Sequence, residues 1–427
     1  MLKKAVNLVA RENLFITGGA GVGKSFLLAQ ICRFLSENNR KTALLASTGI
    51  AAVGIGGMTI HRFFLFGACK NLEELSRYDN RRFVKTELPK RLDLIRGLDL
   101  IAIDEVSMVS ADLMEMIESR LLQAGFAGRI VLCGDFYQLP PVREKALKRE
   151  ATLFEGGFYA FESGFWERLR LKTVTLAEPR RTDDLVFAGF LNNLRRGVIG
   201  GEEERLLSVY ALQKDVLEMD PTHLFATNAE ADALNARRLE EIDAERHTIR
   251  ADVEISKEAD YAIAENFIKT LTTPLTLTVK VGARVLFTVN EGDLFYNGER
   301  GIVKAINEGV IAVTKDNGEH IKVAPHSFKL EDASERILTR VTQFPLRLAW
   351  AITIHKSQGM SIAPLTVNTD RLFEAGQLYV ALSRSSDPKR LYIQGDRDPI
   401  AAAKRSIKTN ETVARFYASI ERVPQAV

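Results

Sequence analysis

Through the first third of the chain, short apolar runs alternate with longer stretches of helical periodicity. Residues 13–17, 42–46, 98–103 and 129–133 are apolar runs of strand length, and residues 26–35 repeat their apolar positions with helical spacing. Strands separated by helices predict a parallel sheet with crossover helices, because parallel neighbours cannot be joined by a tight turn. From Gly282 to about Phe344 the texture changes. Runs at 283–288, 301–306, 310–314 and 320–323 are separated by Asn297-Gly298, Asn307-Glu308-Gly309 and Asp316-Asn317-Gly318. Turn residues at that frequency predict a small antiparallel β barrel or sandwich. The α/β texture then returns, with strands near 365–368 and 390–393. The β module therefore reads as an insertion in a second α/β domain.

Composition narrows the class without naming a function. The 427 residues carry 58 Lys plus Arg against 55 Asp plus Glu, a net charge of +3, with 46% hydrophobic and 26% charged residues. This is the balance of a soluble globular protein of two or three domains and excludes a disordered tail, a collagen and a multi-span membrane protein. Charge matters only regionally. Residues 77–96 hold seven basic and three acidic side chains with Tyr78 and Phe83 interleaved, a candidate basic insertion. Residues 229–265 reverse the sign, with eleven acidic and five basic, and are expected to form a solvated helical face. Cys32, Cys69 and Cys133 are too few for a disulfide framework and are expected to be reduced, buried thiols. Residues 42–61 lack any charge, but Gly49, Gly54, Gly56 and Gly57 with Thr42, Ser47, Thr48 and Thr59 suit a strand and glycine-rich loop better than a membrane span. With no secretory signal evident, a cytoplasmic protein is expected.

The chemistry starts at Gly18-Gly19-Ala20-Gly21-Val22-Gly23-Lys24-Ser25, which follows an apolar strand and precedes a helix. That is the phosphate-loop pattern. Its glycines let backbone N–H groups turn onto phosphate oxygens, Lys24 supplies a point charge and Ser25 can ligate magnesium. The run Leu100-Ile101-Ala102-Ile103 then delivers Asp104 and Glu105 at a strand end. Asp104 is expected in the Mg2+ shell of an ATP site, and Glu105 as the group that orients and deprotonates the attacking water. Gln138 lies just beyond another strand end, where it can sense a γ-phosphate. These residues establish nucleotide binding alone, since kinases and molecular switches share them.

Two C-terminal runs discriminate: residues 346–359, containing His355-Lys356-Ser357-Gln358-Gly359, and residues 376–384, ending in Ser383-Arg384. With Thr48-Gly49-Ile50-Ala51-Ala52 and Gly57-Met58-Thr59-Ile60-His61, they resemble the ordered motifs of superfamily-one DNA helicases, most of all the Pif type (petite integration frequency), related to RecD. The resemblance covers most of the chain. It implies two RecA-like domains with parallel sheets, ATP between them, and a small SH3-like β domain inserted in the second. The expected boundaries are 1–175, with a basic insertion at about 66–96, then 176–281, the β insertion 282–344, and 345–427.

The resemblance also implies roles for single residues. Lys24, Ser25, Asp104, Glu105 and Gln138 would form one half of the ATPase site, and Arg181 and Arg384 would complete it as arginine fingers. Thr48, Gly49, Thr59, His61, Thr227, Asn228, His355, Lys356 and Ser357 fall on positions that grip single-stranded DNA through phosphates and sugars. Movement 5′ to 3′ as a monomer, action at duplex junctions or on G-quadruplex DNA, and service in DNA repair, recombination or replication are further implications. Two departures stand out. No glutamine that would read adenine precedes the loop, and the Arg-Gln usual in the fourth motif is Arg181-Thr182. A translocase that strips proteins without unwinding, a nucleotide-gated DNA-binding switch and, more weakly, a phosphotransferase remain as competing readings.

Overall fold

The apolar runs of the first third become strands buried on both faces. The structure, a computed structural model, describes residues 2–141, 158–257, 259, 261–271, 273–292, 294–331, 336–395, 398–407 and 410–421. Strands β1 (Leu14–Gly18), β2 (Thr42–Ala46), β3 (Met58–Thr59), β4 (Leu100–Asp104), β5 (Arg129–Cys133) and β6 (Lys172–Leu176) form one parallel sheet in the order β3-β2-β4-β5-β1-β6. Leu14, Ile16, Ala102, Val131 and Cys133 have essentially no exposure, because helices cover the sheet as parallel sheets require. Helices α1 (Leu2–Val9) and α2 (Lys24–Glu37) contribute Ala5, Val9, Leu28, Ile31 and Cys32 to that core. All three cysteines are free and buried, and burial lifts the Cys32 thiol to about 12 and that of Cys69 to about 11.

The charge-free stretch 42–61 is β2, a short helix α3 (Gly49–Gly54), β3 and the start of α4 (Ile60–Phe63). Among the described residues no helix is long and apolar enough to cross a membrane. The basic stretch folds as α5 (Leu72–Asp79) and α6 (Arg82–Arg96) against α7 (Ala111–Ala124). Arg120 of α7 pins it there: fully buried, it donates to both Asp79 oxygens at 2.7 and 2.6 Å and to the Phe64 carbonyl at 3.1 Å. A guanidinium's rigid fork suits three fixed acceptors. Arg91 is also buried, whereas Arg81, Arg82 and Lys85 stay in solvent, so only part of the basic charge is presented outward. After α8 (Gly164–Arg168) and β6 this unit ends near Arg180.

The second compact unit contains α9 (Leu185–Arg195), α10 (Gly201–Leu212), β7 (Thr222–Phe225) and α11 (Asn228–Glu240), then a long β-rich region. That region is β8 (His247–Arg250), β9 (Asp252–Ile255), α12 (Tyr261–Thr270), β10 (Thr276–Val279), β11 (Arg284–Phe287), β12 (Arg300–Asn307), β13 (Val310–Lys315), β14 (His320–Val323), β15 (His326–Glu331), β16 (Ile337–Gln343) and β17 (Leu346–Leu348). Five of these strands pair antiparallel in the order β14-β13-β12-β11-β17, while β15 and β16 form a hairpin joined by β9. The β structure thus begins before Gly282. The acidic stretch read as a helical face is helical through α11, but residues 247–250 and 252–255 within it are β8 and β9, which lie at the edges of small two- and three-stranded sheets.

Strands β18 (Ala351–Thr353), β19 (Leu365–Asn368) and β20 (Leu391–Gln394) restore the α/β texture, with α13 (Gln377–Leu382) and α14 (Pro399–Ser406). They join β7 in a second parallel sheet, β18-β7-β19-β20. The last helix, α15 (Glu411–Glu421), departs from the expected boundary: it belongs to the first unit, although residues 345–427 were assigned to the second α/β domain. Its amphipathic pattern supplied Phe416 and Tyr417 but carried no sign of which core they would enter. Phe416 stacks on Phe161 with ring centroids 4.1 Å apart and touches Phe15, Phe136 and Trp166.

Candidate functional site

In the first unit the candidate residues collect at the carboxyl ends of β1, β2, β4 and β5, the edge where open α/β sheets bind ligands. β1 ends at Gly18, whose φ is 145°, and a Cβ there would lie 2.2 Å from the Leu176 carbonyl on β6. Only glycine fits so close to the neighbouring strand. Gly21 and Gly23 follow with φ of 74° and 85°, and the Arg180 N–H closes the loop's outer side on the Gly21 carbonyl at 2.7 Å. Gly19 and Ala20 complete the turn, and Val22 is anchored in the core. Lys24, the first residue of α2, is folded over its own loop and donates to the Gly18 and Gly19 carbonyls at 3.0 and 2.8 Å. The loop's N–H groups thereby sit at the start of a 14-residue helix with a cation beside them.

Asp104 at the end of β4 is almost completely buried. Burial raises its pKa, opposed by hydrogen bonds from the Ser25 hydroxyl and the Glu105 N–H, the latter at 2.9 Å, and by the charge of Lys24. The Ser25 hydroxyl and Asp104 carboxylate therefore share one spot, and two hard oxygen donors at that place fit a small divalent cation. The Cys133 thiol also bonds Asp104, and burial holds it well above its ordinary value. Glu105 takes the left-handed conformation, φ 53° and ψ 45°, sparse for a residue with a side chain. Gln138 is buried, its N–H on the Asp135 carbonyl at 2.9 Å. Asp135, fully buried, accepts from the Tyr137 N–H at 3.2 Å.

Thr48 and Thr59 both act as helix caps, accepting from Ala51 N–H at 3.2 Å and Arg62 N–H at 3.4 Å, and Gly49 opens α3. His61 packs edge-on to Phe66, and burial lowers its pKa. At pH 7 its imidazole is neutral, so toward a strand it offers a hydrogen bond and no full charge.

In the second unit Thr227 and Asn228 follow the end of β7 while His355, Lys356 and Ser357 follow the end of its neighbour β18. The fold brings the two groups together, with Lys356 Nζ donating to Asn228 Oδ1 at 2.8 Å. Thr227 caps α11 and donates to Glu230 Oε2 at 2.6 Å, and His355 Nε2 lies 3.4 Å from Glu374. Ser357 departs from expectation: fully buried, its hydroxyl donates to the Ile354 carbonyl at 2.8 Å, so its side chain has nothing to offer a strand outside. Sequence reading missed Arg347 on β17. Its Nε is buried with no hydrogen-bond partner among the described residues. Burial and the like charge of Arg347 both push Lys356 down, with only Asp232 opposing. Arg181 and Arg384 converge on one residue, Arg181 Nη1 donating to the Ser383 carbonyl at 2.7 Å and Arg384 Nη2 to the Ser383 hydroxyl at 2.9 Å. Arg384 is itself buried.

A parallel sheet whose first strand ends in this loop and whose fourth ends in two carboxylates defines a P-loop nucleoside triphosphatase, here with a second parallel sheet of the same kind. The PIF1-like helicase family model matches residues 2–203. The ATP-dependent DNA helicase Pif1 of Campylobacter jejuni is 39% identical over 415 residues, 92% of this chain and 91% of that protein. Among solved structures, Bacteroides sp Pif1 in complex with ADP-AlF4 matches 99% of this chain and 97% of its own, with a TM-score of 0.79 and 28% identity. The Bacteroides Pif1 complex with ADP-AlF3 and ssDNA matches the same shares with a TM-score of 0.71 and 28% identity. This chain belongs to the PIF1-like helicase family, and its two parallel sheets are those of RecA-like domains.

Proposed function

We propose that this ATP-dependent DNA helicase moves 5′ to 3′ along single-stranded DNA and separates duplex or structured DNA ahead of it. The observation that carries the reading is the pairing of the phosphate-loop Ser25 with Asp104 in one buried place, under the positive end of α2. Ser25 and Asp104 would hold Mg2+, which when bound neutralises charge on the nucleotide's phosphates. Lys24 leaves the Gly18 and Gly19 carbonyls for the β- and γ-phosphates. Glu105, turned by its left-handed backbone, orients the attacking water and takes its proton, and Gln138 reports the γ-phosphate. Arg181 and Arg384 are the cations assigned to the charge that develops there.

The strand grip is assigned to Thr48, Gly49, Thr59 and His61 in the first unit and to Thr227, Asn228, His355 and Lys356 in the second. Arg347 is added because its buried Nε–H, without a hydrogen-bond partner among the described residues, would be stabilised by a phosphate oxygen. Hydroxyl, amide and cationic donors hold backbone without reading bases. Support for DNA as substrate comes from relatives named as DNA helicases and from the ssDNA-bound Bacteroides Pif1.

The test compares ATP-driven unwinding of one duplex carrying a 5′ or a 3′ single-stranded tail, with Lys24→Ala as control. Unwinding of the 5′-tailed duplex only, absent in K24A, is expected. Unwinding from the 3′ tail overturns the direction, and DNA-stimulated ATPase without unwinding favours a translocase.

A further inference from the structure

Among the described residues the Tyr417 hydroxyl meets three hydrogen-bonding groups, all of them next to the nucleotide loops. It accepts from the Phe136 N–H at 3.1 Å, donates to Asp135 Oδ1 at 3.3 Å, and shares a hydrogen bond of 2.9 Å with the Thr17 hydroxyl. A phenol has one proton and two acceptor positions. A carboxylate acceptor takes that proton, so Thr17 and Phe136 are the donors. Thr17 is the last residue before Gly18, and Asp135 and Phe136 open the turn that carries Gln138. Tyr417, Thr17 and Asp135 are all buried, so water does not substitute for a missing partner. The Tyr137 ring, between Asp135 and Gln138 in the chain, stacks on the Tyr417 ring at 4.7 Å and 9°.

We propose that Tyr417 is a positioning residue for ATP hydrolysis: its hydroxyl fixes the Gly134–Gln138 turn to the base of the phosphate loop so that Gln138 meets the γ-phosphate. The proposal rests on the reading of Gln138 given above. Nothing in the motif pattern assigns a role to this helix, which enters the first unit after the whole second unit has intervened in the chain. Its link to the second unit is short, since α14 ends at Ser406 and α15 begins at Glu411.

Tyr417→Phe removes the hydroxyl and keeps the ring stack. In the full chain with single-stranded DNA, Y417F is expected to lower kcat about tenfold, the effect of one lost buried hydrogen bond, while affinity for a non-hydrolysable fluorescent ATP analogue stays within about twofold. The analogue's binding in the same sample reports that the site is folded. Gln138→Ala and the double variant complete a cycle, in which the double variant turns over no more slowly than Q138A alone because the hydroxyl acts through Gln138. Unchanged kcat in Y417F, or losses that simply add in the double variant, overturns the proposal. Unchanged kcat in Q138A sinks the sensor reading itself, and the route through Gln138 with it.

Discussion

Single side chains here carry energies that their positions in the chain do not announce. His223, on β7, has its pKa pushed down to about 4 by burial, with Arg238 and Arg237 adding and Asp220 opposing. The unfolded chain takes up that proton near pH 6.5, the folded one only near 4, so stability is lost as pH falls below 6.5. Wild type should lose about 1–2 kcal/mol more than His223→Gln between pH 7 and 5. Parallel thermal melts check this, and coincident pH profiles would refute it. Arg347→Ala should weaken binding to single-stranded DNA and lower the salt slope of log K by about 0.7, the share of one phosphate contact on a single strand. An unchanged slope removes Arg347 from the grip. Lys24 and Asp104 could be singled out from the sequence because each sits in its own short motif, residues 18–25 and 100–105, and the fold brings the Ser25 hydroxyl and the Lys24 charge to Asp104. Arg120 and Tyr417 could not, because their partners lie tens to hundreds of positions away, and Arg347 could not, because only the fold shows that its Nε is buried without a partner among the described residues.

Among the elements, strands were read most easily, because a strand buried on both faces must be continuously apolar. Thr42–Ala46, Arg129–Cys133 and Leu365–Asn368 fall where their apolar runs fall. The strands β8 and β9, four residues each, were hidden because so short a run inside an acidic stretch gives little strand signal, and the helices of the basic stretch were hidden by their charge. The basic stretch presents only part of its charge to solvent: Arg81, Arg82 and Lys85 are exposed on and beside α6, while Arg91 is withdrawn into the core. Replacing Arg81, Arg82 and Lys85 by Ala should therefore weaken DNA binding more than ATP binding, by about tenfold for three lost surface cations at low salt. Equal DNA affinity in a filter or anisotropy titration would take α6 out of the DNA-binding surface.

Over the whole molecule, a motor needs nucleotide chemistry and a strand grip in one chain, and the residues proposed for them lie at or near strand ends of the two parallel sheets. The order of motifs made that plan readable from Gly18 to Arg384. What the order could not tell is that the chain returns, for α15, to the unit where it began. The consequence lies in the timing of synthesis. A ribosome releases the phosphate loop, both carboxylates and Gln138 long before it releases Tyr417, so the emerging first unit has its sheet but not the phenol that sets its sensor turn. Full ATP turnover is then withheld from a nascent or truncated chain until the second unit has been made, and fuel is not burned by an engine still under assembly.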